Sequence, residues 1–218
     1  MYKRIVHNII EEHFGSACDI SKVSAGIKVG VASELQMSSN ILFRNLALSL
    51  RAYIVSVLIS ADDIDARLAK IISNIEVFGD FLQEYYDTGR VSVLIIHLKE
   101  FVDTLGRIVN LAKQGYDYSS ELDLALTQVN SVANKISELN PEHWPDSVVR
   151  KYLRSYTSQL MNQIVARLAE DWTSEFIAIN AANSVMFMGP VNLPYTPGVP
   201  DFAEFIAAGI FKQFPTKF

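Results

Sequence analysis

The sequence predicts an all-α protein: an up-and-down bundle of four or five long helices, with a short N-terminal helix before it and an extended C-terminal arm after it. Three observations carry this. Apolar residues recur at alternating spacings of four and three through most of residues 64–179. That is the seven-residue repeat of long, nearly aligned helices. The breaks between repeats are short and hold glycine or proline, which favours antiparallel neighbours. From Gly189 the composition changes, and five of the seven prolines lie beyond it. The bundle is assigned to residues 1–188 and the arm to 189–218, with a short helix near 200–212.

Taken in order, residues 2–14 read as a short amphipathic helix with Ile5, Ile9, Ile10 and Phe14 on one side. The stretch GSACDISKVSAGIKVG (15–30) is small and polar and reads as a loop, with IKVGV the one strand-like piece. Ser33–Ile59 reads as a helix with apolar residues on nearly every side, which argues for a central position. The next stripe is Ile64, Leu68, Ile71, Ile75, Phe78, Leu82 and Tyr85. Ser60 is its expected N-cap, its hydroxyl accepting from the Asp63 N–H, with Asp62, Asp63 and Asp65 suiting the positive helix end. Gly89 is the expected stop.

A further helix begins near Arg90 with the stripe Val91, Leu94, Leu98, Phe101, Leu105, Ile108 and Ala112. Ile95, Val102 and Val109 widen its buried face, and Gly115 ends it. The following repeat is Leu122, Ala125, Val129, Val132, Ile136 and Leu139, with Ser119 or Ser120 as the cap. Asn140–Pro141 breaks it, because proline disfavours helical geometry in the residue before it. Pro145 suits the first turn of a new helix. One stripe then runs through Val149, Leu153, Tyr156, Leu160, Ile164, Leu168, Trp172, Phe176 and Ile179. This predicts one helix over 145–183, roughly 55 Å long at 1.5 Å per residue.

In the arm, Gly189, Pro190, Pro194, Pro197, Gly198 and Pro200 impose extended or turn geometry. Val191, Leu193, Tyr195 and Val199 lie between them, and such groups are scarce in disordered tails. Pro200 suits the first turn of the terminal helix, with Asp201 and Glu204 at its positive end. Phe202, Phe205, Ile206, Ile210 and Phe211 form its stripe, followed by Phe214 and Phe218. Burying such side chains contributes about 1.5–3 kcal/mol each before ordering costs. The arm is therefore expected to be ordered against a surface, either its own bundle or a neighbouring subunit. The partner-contact residues it offers are Pro190, Leu193, Tyr195, Pro197, Phe202, Phe205, Phe211 and Phe214.

Composition narrows the function classes. Net charge is −5 over 218 residues. Residues 60–146 carry fifteen acidic and seven basic side chains, and the remainder nine and twelve. Neither total offers the clustered Lys and Arg of a nucleic-acid binder. The one cysteine, Cys18, allows no intrachain disulfide, and no N-x-[ST] acceptor occurs. The N-terminal segment lacks the uninterrupted apolar run of a signal peptide. Ile41–Ile59 is the best membrane candidate, but Arg44 and Arg51 interrupt it, each costing about 2.5–3.5 kcal/mol near a bilayer centre. The expected location is intracellular, or within a particle assembled in the cytoplasm, with no membrane partner.

No catalytic set emerges. A carboxylate-bridged di-metal bundle needs Glu-x-x-His on two helices, and no acidic residue has a histidine three positions on. His7, His13, His97 and His143 form no zinc spacing. His97 is expected on a polar face with Glu100, Thr104 and Arg107. There is no G-x-S-x-G elbow, P-loop or dinucleotide fingerprint, and no cofactor or small-molecule ligand is implied. Arg150, Lys151 and Arg154, with Tyr152 and Tyr156, form the one basic–aromatic cluster and read as a subunit salt-bridge patch.

The sequence thus favours a non-enzymatic structural or assembly protein, a homo-oligomer or part of a larger protein assembly. Virion components and head–tail connector subunits of tailed phages are similar in outline, a likeness of architecture without a shared motif. The alternative is a ligand-binding or catalytic bundle whose apolar interior pocket is lined by Tyr53, Phe78, Phe101, Trp172 and Phe176.

Overall fold

A computed structural model describes residues 23–188 and 200–218, with side chains from residue 33 onward. Seven helices pack together: α1 (Val23–Ile59), α2 (Ile64–Gln83), α3 (Thr88–Lys113), α4 (Ser119–Leu139), α5 (Asp146–Leu168), α6 (Trp172–Asn183) and α7 (Phe202–Gln213). A π-helical turn, Ser184–Met188, extends α6, and no strand occurs among the described residues. The proposed helix at 2–14 lies outside these residues.

The seven-residue stripes face the core as their spacing requires. Ile71, Ile75, Phe78 and Leu82 of α2 are buried, as are Val91, Leu94, Leu105 and Ile108 of α3 and Val129, Val132 and Ile136 of α4. The second α3 stripe also buries Val102 and Val109, because α3 packs against α1, α2 and α4. α1 buries Phe43, Leu50, Tyr53, Ile54 and Val57 against α2, α3 and α7.

Several boundaries differ from expectation, each for a local reason. The helix expected from Ser33 reaches back to Val23, so residues 23–30 of the stretch read as loop, with the strand-like IKVGV, are helical, and residues 15–22 lie outside the described residues. No proline interrupts it, and Gly26 and Gly30 cost a helix only about 1 kcal/mol each. Ser60 does not cap α2. It takes a left-handed φ of 53° at the end of α1, and Lys113 Nζ donates there to the Val57 carbonyl at 3.0 Å and to the Ser60 hydroxyl. Asp63 holds the N-cap position, its carboxylate accepting from the Ser56 hydroxyl at 2.8 Å. Gly89 does not stop α2. It falls in the first turn of α3, because Asp87 caps that helix by accepting from the Arg90 N–H at 3.0 Å.

Gly115 ends α3 with φ 73°, as expected. Neither Ser119 nor Ser120 caps α4; the Asp117 carboxylate accepts from the Ser119 N–H at 3.0 Å instead. Asn140–Pro141 ends α4, and Pro145 sits just before α5 rather than inside it.

The largest departure concerns the single helix expected over 145–183. It breaks at residues 169–171, where Glu170 has φ 56°. Asp171 then caps α6, accepting from the Ser174 N–H at 3.0 Å and its hydroxyl at 2.7 Å. α6 folds back on α5, so the continuous rod is not formed.

Helix α7 lies over the chain's own bundle. Asp201 caps it by accepting from the Glu204 N–H at 2.8 Å, so the helix starts at Phe202 and Pro200 precedes it rather than lying in its first turn. Phe202, Ala203, Ile206, Ala207 and Ile210 belong to the same buried core cluster as α1–α5.

Candidate functional site

Three places merit consideration as sites: the docked C-terminal helix, the interior of the bundle, and the outer face of the α5–α6 hairpin. The C-terminal helix is held by convergent local chemistry. The Phe202 ring meets Phe43 of α1 at 5.1 Å and Tyr152 of α5 at 5.3 Å. The Tyr152 hydroxyl donates to the Pro200 carbonyl at 2.6 Å, and the Ser39 hydroxyl donates to the Ala203 carbonyl at 2.8 Å. At the other end, Asn140 Nδ2 donates to the Gly209 carbonyl at 3.0 Å, and the buried Trp144 indole lies against Gly209. Phe214 meets Tyr86 at 5.6 Å, and Phe218 stacks on Tyr85 at 5.9 Å. Lys217 Nζ sits 5.1 Å from the Tyr85 ring and donates to the Glu84 carbonyl at 2.9 Å. Burial raises the Tyr86 hydroxyl well above the ordinary tyrosine range.

Of the expected partner-contact residues, Phe202 is buried, and Phe205, Phe211 and Phe214 pack against the same core. All four therefore meet their own chain. Pro190, Leu193, Tyr195 and Pro197 lie outside the described residues.

The interior holds a cavity of about 90 Å³ between α1–α5, the π turn and α7, lined by Phe43, Leu50, Phe78, Phe101, Val132 and Leu153 among others. Phe78 and Phe101 thus line an interior space, as the pocket reading expected. Trp172 and Phe176 do not: they are 59% and 65% exposed. Tyr53 is buried with its hydroxyl against Gly106. Thr157 at the cavity wall already donates to the Leu153 carbonyl at 2.9 Å. Such a space suits a small apolar molecule, and apolar cavities of this kind stay dry.

The remaining sequence candidates resolve into local structure. His97 pairs with Glu100 at 3.1 Å on the surface. Thr104, expected beside them on the polar face, is buried, and the Arg107 guanidinium donates to its hydroxyl at 2.8 Å. Among the described residues no group of three or more His, Cys, Asp or Glu is placed to hold a metal. In the basic cluster, Arg150 pairs with Asp146 at 2.6 Å and Arg154 Nε donates to Asn130 at 3.0 Å. Tyr156 is buried and Tyr152 is engaged by α7, so neither ring offers a free stacking platform. Within α1, Ser33–Ile59 is long and apolar enough to cross a membrane, and half of its most apolar window is buried inside the bundle.

The α5–α6 hairpin was not anticipated. Glu175 is buried on the inner side of α6 and accepts from the Arg167 guanidinium at 2.7 Å, strapping the two helices together. Arg167 also lies 5.7 Å from the centre of the Trp172 ring. Ala178, Ile179, Ala181 and Ala182 are buried. Trp172, Phe176 and Ile177 are each more than half exposed. On the flank of α6 away from Trp172 and Phe176 an open groove is lined by Val165, Ala166, Ala169, Ile177 and Ala178, with Asn162, Ser174 and the exposed Asp171 among its polar residues. Asp171 followed by Ser174, a capping pair three residues apart, is the sequence signal that could have revealed the turn.

Compared with protein-family models, with curated proteins and with solved structures, the chain matches none of them.

Proposed function

We propose that this chain is a non-enzymatic assembly protein, a helical bundle that joins copies of itself or a larger protein assembly. In this reading α1–α5 form the up-and-down bundle and residues 189–218 the arm. The arm's terminal helix acts as a clasp on its own bundle, and subunit contact falls to a different surface. The observation that carries the reading is the exposure of Trp172 and Phe176, one helical turn apart, and of Ile177, each more than half exposed on a helix that is apolar almost all round. Large side chains grouped in this way mark interaction surfaces. Light scattering on the native protein tests it. A mass that is a multiple of 24.4 kDa supports it; 24.4 kDa at every concentration overturns it.

The interior cavity favours a second reading, a bundle that takes up a small apolar ligand. Xenon or benzene should then raise the melting temperature, and Val132→Ile, which narrows the cavity, should abolish that rise. No shift with either probe removes this reading.

A further inference from the structure

We infer that α7 is the lid of the interior cavity, and that a small uncharged hydrocarbon enters and leaves between α1 and α5 when Phe202 lifts away with that helix. The inference rests on the second reading above, the bundle that takes up a small apolar ligand, and supplies its route and its class of occupant.

The first argument is where the bundle wall is incomplete. Consecutive helices pack side by side from α1 to α5, and α3 also packs on α1, but α1 and α5 make only marginal contact with each other. The π turn packs on both of them, and α7 packs on α1 and on the π turn. The seam between the first and fifth helices is thus closed by added pieces rather than by the two helices themselves. Each piece sends one side chain to the cavity wall, Met186 from the π turn and Phe202 from α7.

The second argument is what can move. Displacing any of α1–α5 breaks its packing against at least two other elements. α7 is twelve residues long. Three side-chain hydrogen bonds fasten its backbone and the residue before it: Tyr152 to the Pro200 carbonyl, Ser39 to the Ala203 carbonyl and Asn140 to the Gly209 carbonyl. Water can replace each of them once the helix lifts. Opening α7 alone therefore breaks fewer contacts than unfolding the chain. Met186, unbranched and adaptable, yields beside it.

The third argument is the chemistry of the wall. The cavity is faced by hydrocarbon almost throughout, with the rings of Phe43, Phe78 and Phe101 and the aliphatic chains of Leu50, Val102 and Ile136. The Thr157 hydroxyl is already spent on the Leu153 carbonyl. An occupant carrying a hydrogen-bonding group would leave that group unpaired, at a cost that excludes it. A dry cavity of about 150 Å³ holds benzene or xenon, so one of about 90 Å³ takes xenon or a hydrocarbon no larger than benzene.

Xenon exchange, measured by NMR saturation transfer on the full chain, tests the inference with Tyr152→Phe, Gly209→Ala and Asn74→Ala. None of these three residues lines the cavity. The first two loosen α7. Asn74 joins α2 to α1 instead, donating to the Asn45 carbonyl at 3.1 Å and the Ser49 hydroxyl at 2.9 Å. It controls for exchange through general loss of stability, and circular dichroism melts verify that each variant folds. Tyr152→Phe should speed exchange about twofold to tenfold, the effect of losing one hydrogen bond. Gly209→Ala should speed it as well, and Asn74→Ala should leave it unchanged. Tyr152→Phe removes one hydroxyl and keeps the ring, so it decides the matter whether or not Gly209→Ala folds. Exchange unmoved by Tyr152→Phe, or quickened as much by Asn74→Ala, overturns the lid and leaves the cavity reading standing. No xenon uptake by the wild-type chain overturns both.

Discussion

Replacing Gly209 by alanine asks whether α7 is pressed onto the bundle. In an ordinary helix interior the change is favourable by about 0.5–1 kcal/mol, because glycine loses more backbone freedom on folding. At Gly209 the added methyl group would lie 2.6 Å from Trp144 Cδ1 and 2.8 Å from Cε2, with the indole nitrogen closer still. Trp144 has no room to retreat: it is fully buried and packed beside the Tyr86 ring at 5.4 Å. Either the ring or α7 must move, and moving α7 lengthens the Asn140–Gly209 hydrogen bond. Overpacking of this kind costs about 1–3 kcal/mol, which outweighs the helix gain. For a chain of this size each kcal/mol corresponds to roughly 2–4 °C. Thermal unfolding followed by circular dichroism should therefore show Gly209→Ala melting several degrees below wild type. A melting temperature above wild type would mean that helix preference alone acts at this position, and would refute the docking of α7 on Trp144.

Gly106→Ala should also destabilise, because its methyl group would overlap the Tyr53 hydroxyl; adding Tyr53→Phe should return part of the loss, measured as a coupling in a double-mutant cycle. Phe202→Ala removes a ring buried against Phe43 and Tyr152 and should cost about 3–5 kcal/mol in urea unfolding. The carboxyls of Asp63, Asp117 and Asp171 are held below the usual carboxylate range, mainly by hydrogen bonds from Ser56, Ser119 and Ser174 respectively. The folded chain therefore binds fewer protons than the unfolded chain in the acid range. This stability is fully present above the unfolded aspartate pKa of about 3.9 and is lost as pH falls through the lower folded values. Asp171→Asn should weaken that acid dependence, seen in melting temperatures taken from neutral pH downward.

What was legible in the sequence follows from what periodicity encodes. The stripes Ile71–Leu82, Val91–Ile108 and Val129–Ile136 were read as buried faces because each lies inside an unbroken helix with neighbours on that side. Gly115 and Asn140–Pro141 were legible because positive φ and the constraint before proline act locally. The Trp172–Ile177 segment was misread because the apolar repeat continues across a break made by Glu170 and Asp171. Periodicity states which residues share a face, not what covers it. Asp87 and Asp117 displaced Gly89 and Ser119 from their expected roles because a carboxylate satisfies a free N–H at a helix start. The surface that receives Phe202 was not legible, since Phe43, Tyr152 and Trp144 are far apart in sequence and meet only in the packed bundle.

The two tryptophans separate the surfaces of this molecule. Trp144 is fully buried beneath α7, while Trp172 is 59% exposed on the hairpin. Acrylamide quenching of the fluorescence across a dilution series, with mass measured on the same samples, therefore reports on Trp172 alone. Trp172 is expected to be shielded wherever the chain is oligomeric and to become quenchable as dilution returns it to 24.4 kDa. An oligomer in which Trp172 is quenched as readily as in the monomer would contradict the assignment of assembly to the α5–α6 hairpin.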